Sequence, residues 1–232
     1  MSRTLGIVPA RAGSKRLVDK NLRPVGGKPL ALRAIETALA TRRISRLVVS
    51  SDDRRVLDIA DAVDPSIALE RPSELATDTA MAVEYVRHAL GAMRAQGEEP
   101  FDGVVIVQPT SPFTTAEDID ATVALLDDRS IETAVTVMPL DHALQPAKLK
   151  TMEEGGVLRS YLAEENGRMA AHQLPALFVR NGSVYATRVA VIDRGEIIGE
   201  PCVGHVMSRQ RSVDINDEFD LAFAEFLWGR KA

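Results

Sequence analysis

"TLGIVPARAGSKRLVDKNL", Thr4 to Leu22, is the stretch whose reading decides the fold. Its opening, Thr4–Ala10, is a short apolar run of the kind a strand buried on both faces shows. The chain then turns polar at once. Arg11, Lys15, Arg16 and Lys20 fall within ten residues, with Gly13 and Ser14 between them and Asn21 directly after. Gly13 lets the backbone pass close to a ligand, and Ser14 adds a hydroxyl and an N–H. A cationic loop at the carboxyl end of a strand can cradle a polyanion, because phosphates need several donors and compensating charge. The pattern is not a Walker P-loop, since Gly13 is followed by Ser14 and then Lys15, and no G-x-G-x-x-G fingerprint is present. A solvated basic loop is the plainer alternative.

Outward from this stretch the chain alternates short apolar runs with helical periodicity. "PLALRAIETALATRR" begins a helix at Pro29, "ISRLVVSSDD" reads as a second strand, and "RRVLDIADAV" as a short helix. "SIALERP" is a third extended piece. "TDTAMAVEYVRHALGAMRAQ" is a long helix with Thr77 or Asp78 as its cap. "GVVIVQPTSPF" is the most strand-like run, "TAEDIDATVALLDD" a helix capped by Thr115, and "TAVTVMPL" another strand. The alternation implies an α/β fold with a mostly parallel sheet covered on both faces. Ligands of such sheets bind beyond the carboxyl ends of the strands. That rule gathers the first loop, Ser50–Asp53 and Gln108–Pro112 on one rim.

From about residue 141 to 175 the periodicity lapses, which reads as a small projecting lobe, a β-hairpin with its own helix. "ALFVRNGSVYATR" returns as a strand pair or hairpin about Asn181-Gly182. "DEFDLAFAEFLWGRKA" is an amphipathic helix. His88 and Trp228 fall on helical faces and read as packing or surface residues.

The 232 residues suffice for a full core in one domain with a small lobe. A net charge of -5 and 4% aromatic residues argue against a nucleic-acid binder. The single cysteine, Cys202, excludes an internal disulfide or a cysteine metal cage, and its apolar surroundings suit a buried thiol. No apolar run is long enough to span a membrane, and the N-terminus lacks a signal-peptide pattern. The expectation is a cytoplasmic enzyme or binding protein.

"IVPARAGSKRLVDKNL" is similar to the signature of the acylneuraminate cytidylyltransferases, the CMP-sialic acid synthetases. "VIVQPTSPF", "RNGSVY" and "SVDINDEFDL" resemble their later motifs, in order, over nearly the whole chain. The resemblance implies a Rossmann-like nucleotidyltransferase domain with a small dimerisation lobe, and hence a homodimer. It implies transfer of CMP from CTP to the anomeric hydroxyl of an acidic nine-carbon sugar, with Mg2+ assisting (Mn2+ as a substitute) and pyrophosphate leaving. Carried over by position, Ala10, Arg11, Gly13, Ser14, Lys15 and Lys20 would hold the nucleotide's phosphates, with Arg11 and Lys20 catalytic. Asn21 would meet the nucleoside, Arg71 the cytosine and Gln108 the ribose or acceptor. Asn181 and Tyr185 would line the acceptor pocket, and Asp214 would bind the metal.

Two departures from that family pattern stand out. The metal motif Asp-Ile-Asp reads Asp214-Ile215-Asn216 here, followed by Asp217. Asn216 can offer a carbonyl oxygen but no charge, and Asp217 points away if the stretch is extended. The alternative is that these acids cap the last helix. Secondly, the arginine-bearing segment before the Asn-Gly pair is "AAHQLP", Ala170 to Pro175, so the acceptor carboxylate needs another cation. Arg168, His172, Lys148 and Arg180 are the candidates. The acceptor is thus a sialic-acid-like nonulosonate, another sugar acid or a phosphonate. The nucleotide is CTP by resemblance, with UTP, GTP or ATP left open, and a non-catalytic nucleotide-binding homologue is the competing class.

Overall fold

A computed structural model describes residues 3–162 and 175–230. In chain order the strands and helices are β1 (Thr4–Pro9), β2 (Pro24–Val25), β3 (Lys28–Pro29), α1 (Leu30–Leu39), β4 (Arg46–Ser51), α2 (Arg54–Val63), β5 (Ala68–Glu70), α3 (Ala82–Ala95), β6 (Gly103–Val107), α4 (Ala116–Ala124), β7 (Thr133–Pro139), β8 (Lys150–Met152), β9 (Leu158–Ser160), β10 (Phe178–Arg188), α5 (Val189–Arg194), β11 (Cys202–Val206) and α6 (Glu218–Gly229). Seven strands form one sheet in the order β11-β7-β10-β6-β1-β4-β5. All pairings are parallel except those of β10, which runs antiparallel to both β6 and β7.

The alternation of side chains along each strand sorts the core into two layers. Leu5 and Ile7 of β1, with Val104 and Ile106 of β6, pack beneath α3 and α5. Val8, Val105 and Val107 face the other way, against α1, α2 and α4. Both faces are dry, so these strands read as unbroken apolar runs. The chain winds from β1 through β4 to β5 on one side, then crosses back to place β6 on the other side of β1. The order reverses between β1 and β6, and a crevice opens there beyond their carboxyl ends.

A third apolar cluster fixes what lies above that crevice. Leu17 of the cationic loop, Val25, Leu30, Phe113 and Ile215 close around Leu221 and Ala224 of α6. Trp228 completes it, stacked on Phe113 with ring centroids 5.9 Å apart, while the Arg33 guanidinium sits 3.6 Å from its ring centroid. Gly26 turns the β2–β3 hairpin at φ +55°, and a Cβ there would lie 2.0 Å from the indole nitrogen. Gly26→Ala therefore combines left-handed strain with displacement of Trp228, a loss of about 2–4 kcal/mol. Thermal unfolding should show Tm lower by roughly 4–16 °C; an unchanged Tm would mean that this cluster does not fix the loop.

Three local expectations are corrected. Asn181-Gly182 is not a hairpin turn: Phe178–Arg188 is one continuous strand, and the pair sits in a bulge where the register against β7 shifts between Arg180 and Tyr185. Long α3 begins at Ala82 rather than at a Thr77 or Asp78 cap. The Met81 N–H is taken by the Glu84 carboxylate at 2.7 Å, and Asp78 serves the cationic loop. Cys202 is half-buried at the start of edge strand β11 rather than enclosed, and burial raises its thiol pKa. In the lobe, the described part contains the expected hairpin, β8 with β9, and short 3-10 turns in place of a helix.

Candidate active site

The cationic loop is tied down at both ends. The Ala10 N–H donates to the Ser50 carbonyl at 3.0 Å, and the Ala10 carbonyl accepts from the Ser51 hydroxyl at 2.5 Å. The Ala12 N–H donates to Asp52 at 2.8 Å. Ala10 is wholly buried with both backbone groups spent on β4 and its end. It anchors the loop and does not line the cavity, a correction to its place among the nucleotide contacts. At the far end Asp19 takes a left-handed φ of 53°, held by Arg55 at 2.7 Å, and launches a 3-10 turn, Lys20–Leu22.

Arg11, Ser14, Lys20 and Asn21 from this loop line a cavity of about 310 Å³, with Gln108 from the end of β6 opposite. The three polar loops expected on one rim do converge. Gly13, at φ +70°, and Lys15 do not line this cavity, although Lys15 reaches its wall through Asp78. Arg11 and Lys15 meet one carboxylate, Asp78, at 2.7 and 2.5 Å. Lys15 and Arg11 hold that carboxyl below the usual carboxylate range. The Asn21 amide donates to the Arg11 carbonyl at 3.0 Å, bracing the loop across its mouth. Lys20 is half-buried, and its ammonium donates to the Ile215 carbonyl at 3.1 Å. Burial pulls its pKa down, and Asp214 opposes that shift.

The far wall is Arg71, only 4% exposed. Its guanidinium donates to the Ser50 hydroxyl and carbonyl at 3.0 and 2.8 Å and lies 4.5 Å from the Tyr85 ring centroid. Desolvation lowers its pKa, with Tyr85 and Asp52 opposing. Burial likewise drives the Tyr85 phenol well above its ordinary value. A planar guanidinium stacked on a ring makes a flat wall suited to a base.

A second cavity of about 460 Å³ is lined by Met138, Val179, Arg180, Tyr185 and Asp214, among others. Lys20 joins the two regions, since it touches Ile215, the neighbour of Asp214. The Tyr185 phenol is raised by burial, lowered by Arg180 and raised by Asp214. Gly182, at φ +78°, brings the bulged strand close to Asp214: a Cβ there would lie 3.8 Å from its carboxylate.

Asn181 also lines this cavity, though it is largely buried. Its amide oxygen accepts from the Thr136 hydroxyl at 2.6 Å and its nitrogen donates to the Ser212 hydroxyl at 2.9 Å. It holds the bulge against β7 and the segment leading to Asp214. Lys148 lies in the lobe, its ammonium 2.8 Å from His142 Nδ1, and it lines neither cavity. Arg168 and His172 lie outside the described residues.

Among the described residues no three His, Cys, Asp or Glu side chains gather as a metal cage. The donor set here is one carboxylate, Asp214. Asn216 turns its amide nitrogen to Asp214 at 2.9 Å and its carbonyl to Arg16 at 2.8 Å. Asp217 points away and caps α6 by accepting from the Asp220 N–H at 3.1 Å. Mg2+ is commonly held by one or two carboxylates together with substrate phosphates. A single carboxylate at the edge of a cationic cradle fits that kind of site.

Sequence reasoning missed Tyr85 and Asp78. Tyr85 occupies an apolar position of α3 and reads as core. Only its packing on Arg71, across a loop and a third of a helix, gives it a second role.

The chain resembles known proteins over its whole length. The family model described as "Cytidylyltransferase" matches residues 5–192. A CMP-N,N'-diacetyllegionaminic acid synthase of Legionella pneumophila is 33% identical over 97% of this chain and 96% of its own. An N-acylneuraminate cytidylyltransferase of Escherichia coli is 27% identical over 96% of this chain, which spans about half of that longer protein (51%). Among solved structures, a CMP:2-keto-3-deoxy-manno-octonic acid synthetase complexed with CTP superposes with a TM-score of 0.72 at 17% identity, covering 100% of both chains. The sheet order and its covering helices are thus those of the Rossmann-like nucleotidyltransferase fold. With four-fifths of its length matched by that model and a third of its residues shared with a full-length relative, the chain belongs to the cytidylyltransferase family.

Proposed function

We propose that this enzyme transfers CMP from CTP to the anomeric hydroxyl of an acidic nonulosonate sugar and releases pyrophosphate. The observation that carries this reading is the layout of the crevice. A flat Arg71–Tyr85 wall, a cradle of Arg11, Ser14 and Lys20, and the Asp214 carboxylate follow one another across the carboxyl ends of β1 and β6. That sequence suits a base, a triphosphate and a reacting centre. The names of three relatives, a CMP-N,N'-diacetyllegionaminic acid synthase, an N-acylneuraminate cytidylyltransferase and a pseudaminic acid cytidylyltransferase, support the acceptor class.

In the reaction the acceptor hydroxyl forms a bond to the α-phosphorus as the α–β bridging bond breaks. The hydroxyl proton leaves to solvent or base, and pyrophosphate carries away the bond's electrons. Charge grows on the phosphoryl and leaving oxygens, so Arg11 and Lys20 stabilise the transition state more than the ground state. Lys15 and Asn21 hold the cradle's shape around them. Asp214 would share a Mg2+ ion with the phosphates, and that ion supplies Lewis-acid neutralisation of phosphoryl charge.

Pyrophosphate release measured with four nucleoside triphosphates against a panel of nonulosonates, other sugar acids and phosphonates tests the proposal. CTP with a nonulosonate should be the productive pair. Turnover with another triphosphate or only with a phosphonate would overturn it, as would CTP binding without turnover, the signature of a nucleotide-binding homologue. CTP is a cytoplasmic metabolite, and we place the enzyme there; cell fractionation tests the placement. No helix among the described residues is long and apolar enough to cross a membrane.

We further propose a homodimer built on the lobe. Met152, Leu158 and Tyr161 on and beside the hairpin are 74, 58 and 62% exposed, and the described lobe has almost no core of its own. Apolar side chains so disposed ask for a covering partner. Light scattering at micromolar concentration should give twice the 25.2 kDa chain mass, and a Met152→Asp, Leu158→Asp double variant should give a monomer. A fully active wild-type monomer would refute this.

A further inference from the structure

The acceptor-side cavity contains one cation among its described lining residues, Arg180. It stands on β10 at the residue where pairing with β7 breaks, opposite Val137, before the bulge that leads to Tyr185. Its guanidinium forms no ion pair with another described residue, and the residue is exposed to the cavity. Arg11, Arg23, Arg43, Arg54, Arg55 and Arg211, by contrast, are paired with carboxylates. Around Arg180 the wall is apolar, Met138 and Val179, with the Tyr185 phenol and the Asp214 carboxylate at hand. The bulge itself is rigidly held: Asn181 is pinned to Thr136 and Ser212, and Gly182 lies against Asp214. Arg180 thus sits at the edge of a built, half-apolar pocket with its guanidinium hydrogen-bonded to no other described residue.

We propose that Arg180 is the carboxylate-reading residue of the acceptor site. The inference rests on the acidic-sugar reading above and adds the group that recognises the acid. A 2-keto acid in its ring form bears its carboxylate on the anomeric carbon, the carbon that also bears the attacking hydroxyl. Whatever binds the carboxylate must therefore lie beside the reacting centre, and Arg180 shares its cavity with Asp214. A guanidinium fork meets a carboxylate with two parallel hydrogen bonds and fixes its plane, which in turn aims the hydroxyl. Apolar neighbours strengthen that pair by limiting water. A cation in the lobe such as Lys148 lines no part of this cavity.

The test compares a nonulosonate with its carboxyl methyl ester, for wild type, Arg180→Gln and Arg180→Lys, by pyrophosphate release. N-acetylneuraminate and N,N'-diacetyllegionaminate are the probes, and equilibrium binding of CTP is measured alongside. Wild type should prefer the free acid over the ester by about ten- to a hundred-fold in kcat/KM, the range of a charge-assisted contact. Arg180→Gln should lose that preference, with acid and ester turning over equally slowly, while its affinity for CTP stays within about two-fold. Arg180→Lys should recover part of the preference, since it restores charge without the fork. An Arg180→Gln enzyme that keeps the wild-type acid-to-ester ratio would overturn the assignment alone. A wild-type enzyme that binds CTP yet turns over neither acid would overturn the acidic-sugar reading and this role with it.

Discussion

Asp214→Ala is expected to lower kcat by about a hundred- to a thousand-fold, roughly 2.7–4 kcal/mol of transition-state stabilisation. Asp214 is the one carboxylate of the acceptor-side cavity, and no His, Cys, Asp or Glu cluster among the described residues offers a substitute. Activity should likewise vanish in EDTA and return with Mg2+ or Mn2+. Full turnover in chelator, or an Asp214→Ala enzyme within a few-fold of wild type, would remove the metal role. Asn216→Asp sharpens the test. In the present arrangement the Asn216 amide donates to Asp214 and accepts from Arg16, so it quiets both charges. A carboxylate there would face Asp214 with like charge. The variant should be less stable than wild type without metal, regain stability with Mg2+, and bind Mg2+ more tightly. The fold-stability readout does not depend on turnover, so it separates a metal effect from a purely catalytic one.

The sheet and its direction were legible because the strands are buried twice over. Val104–Val107 carry apolar side chains to both layers, and no helix could use four consecutive aliphatics so evenly at that length. The gathering of Arg11, Ser14, Lys20 and Asn21 about one cavity was legible for a different reason: they crowd a short local stretch. The misreadings share a cause: each residue's partner is remote in sequence. Asp78 looks like a helix cap by its neighbours, but its partners are Arg11 and Lys15. Asn181-Gly182 has the chemistry of a hairpin turn, but Thr136 and Ser212 engage the asparagine and keep the strand running on through a bulge. Asn216 too has a remote partner that its neighbours do not reveal: Arg16, 200 residues away, holds its carbonyl.

Lys20→Ala is expected to lower kcat/KM for CTP by at least ten-fold, and up to about a hundred-fold, or roughly 1.4–2.7 kcal/mol. Arg11→Ala should cost at least ten-fold, but Lys20 is the more demanding position. Its ammonium is half-buried between the two cavities with the Ile215 carbonyl as a hydrogen-bond partner, so it is already partly stripped of water before substrate arrives. Desolvation strengthens its pull on phosphate and also makes it easier to deprotonate. The sign follows from the lowered pKa. In the free enzyme the charge is present at neutral pH and is lost as pH rises through a value below that of ordinary lysine. The same shift is a stability cost, fully present below the folded-state pKa and gone above the unfolded-state one. Bound triphosphate reverses the balance, because phosphate charge favours the ammonium and lifts the pKa again. The alkaline limb should therefore appear at lower pH in kcat/KM for CTP, which reports the free enzyme, than in kcat, which reports the complex. Lys20→Arg keeps a charge that does not titrate in that range and should flatten the limb while losing some rate. Coincident limbs in the two profiles, or a Lys20→Arg profile identical to wild type, would show that the group titrating there is not Lys20. Wild-type kcat/KM in Lys20→Ala would remove the cradle's central charge from the mechanism altogether.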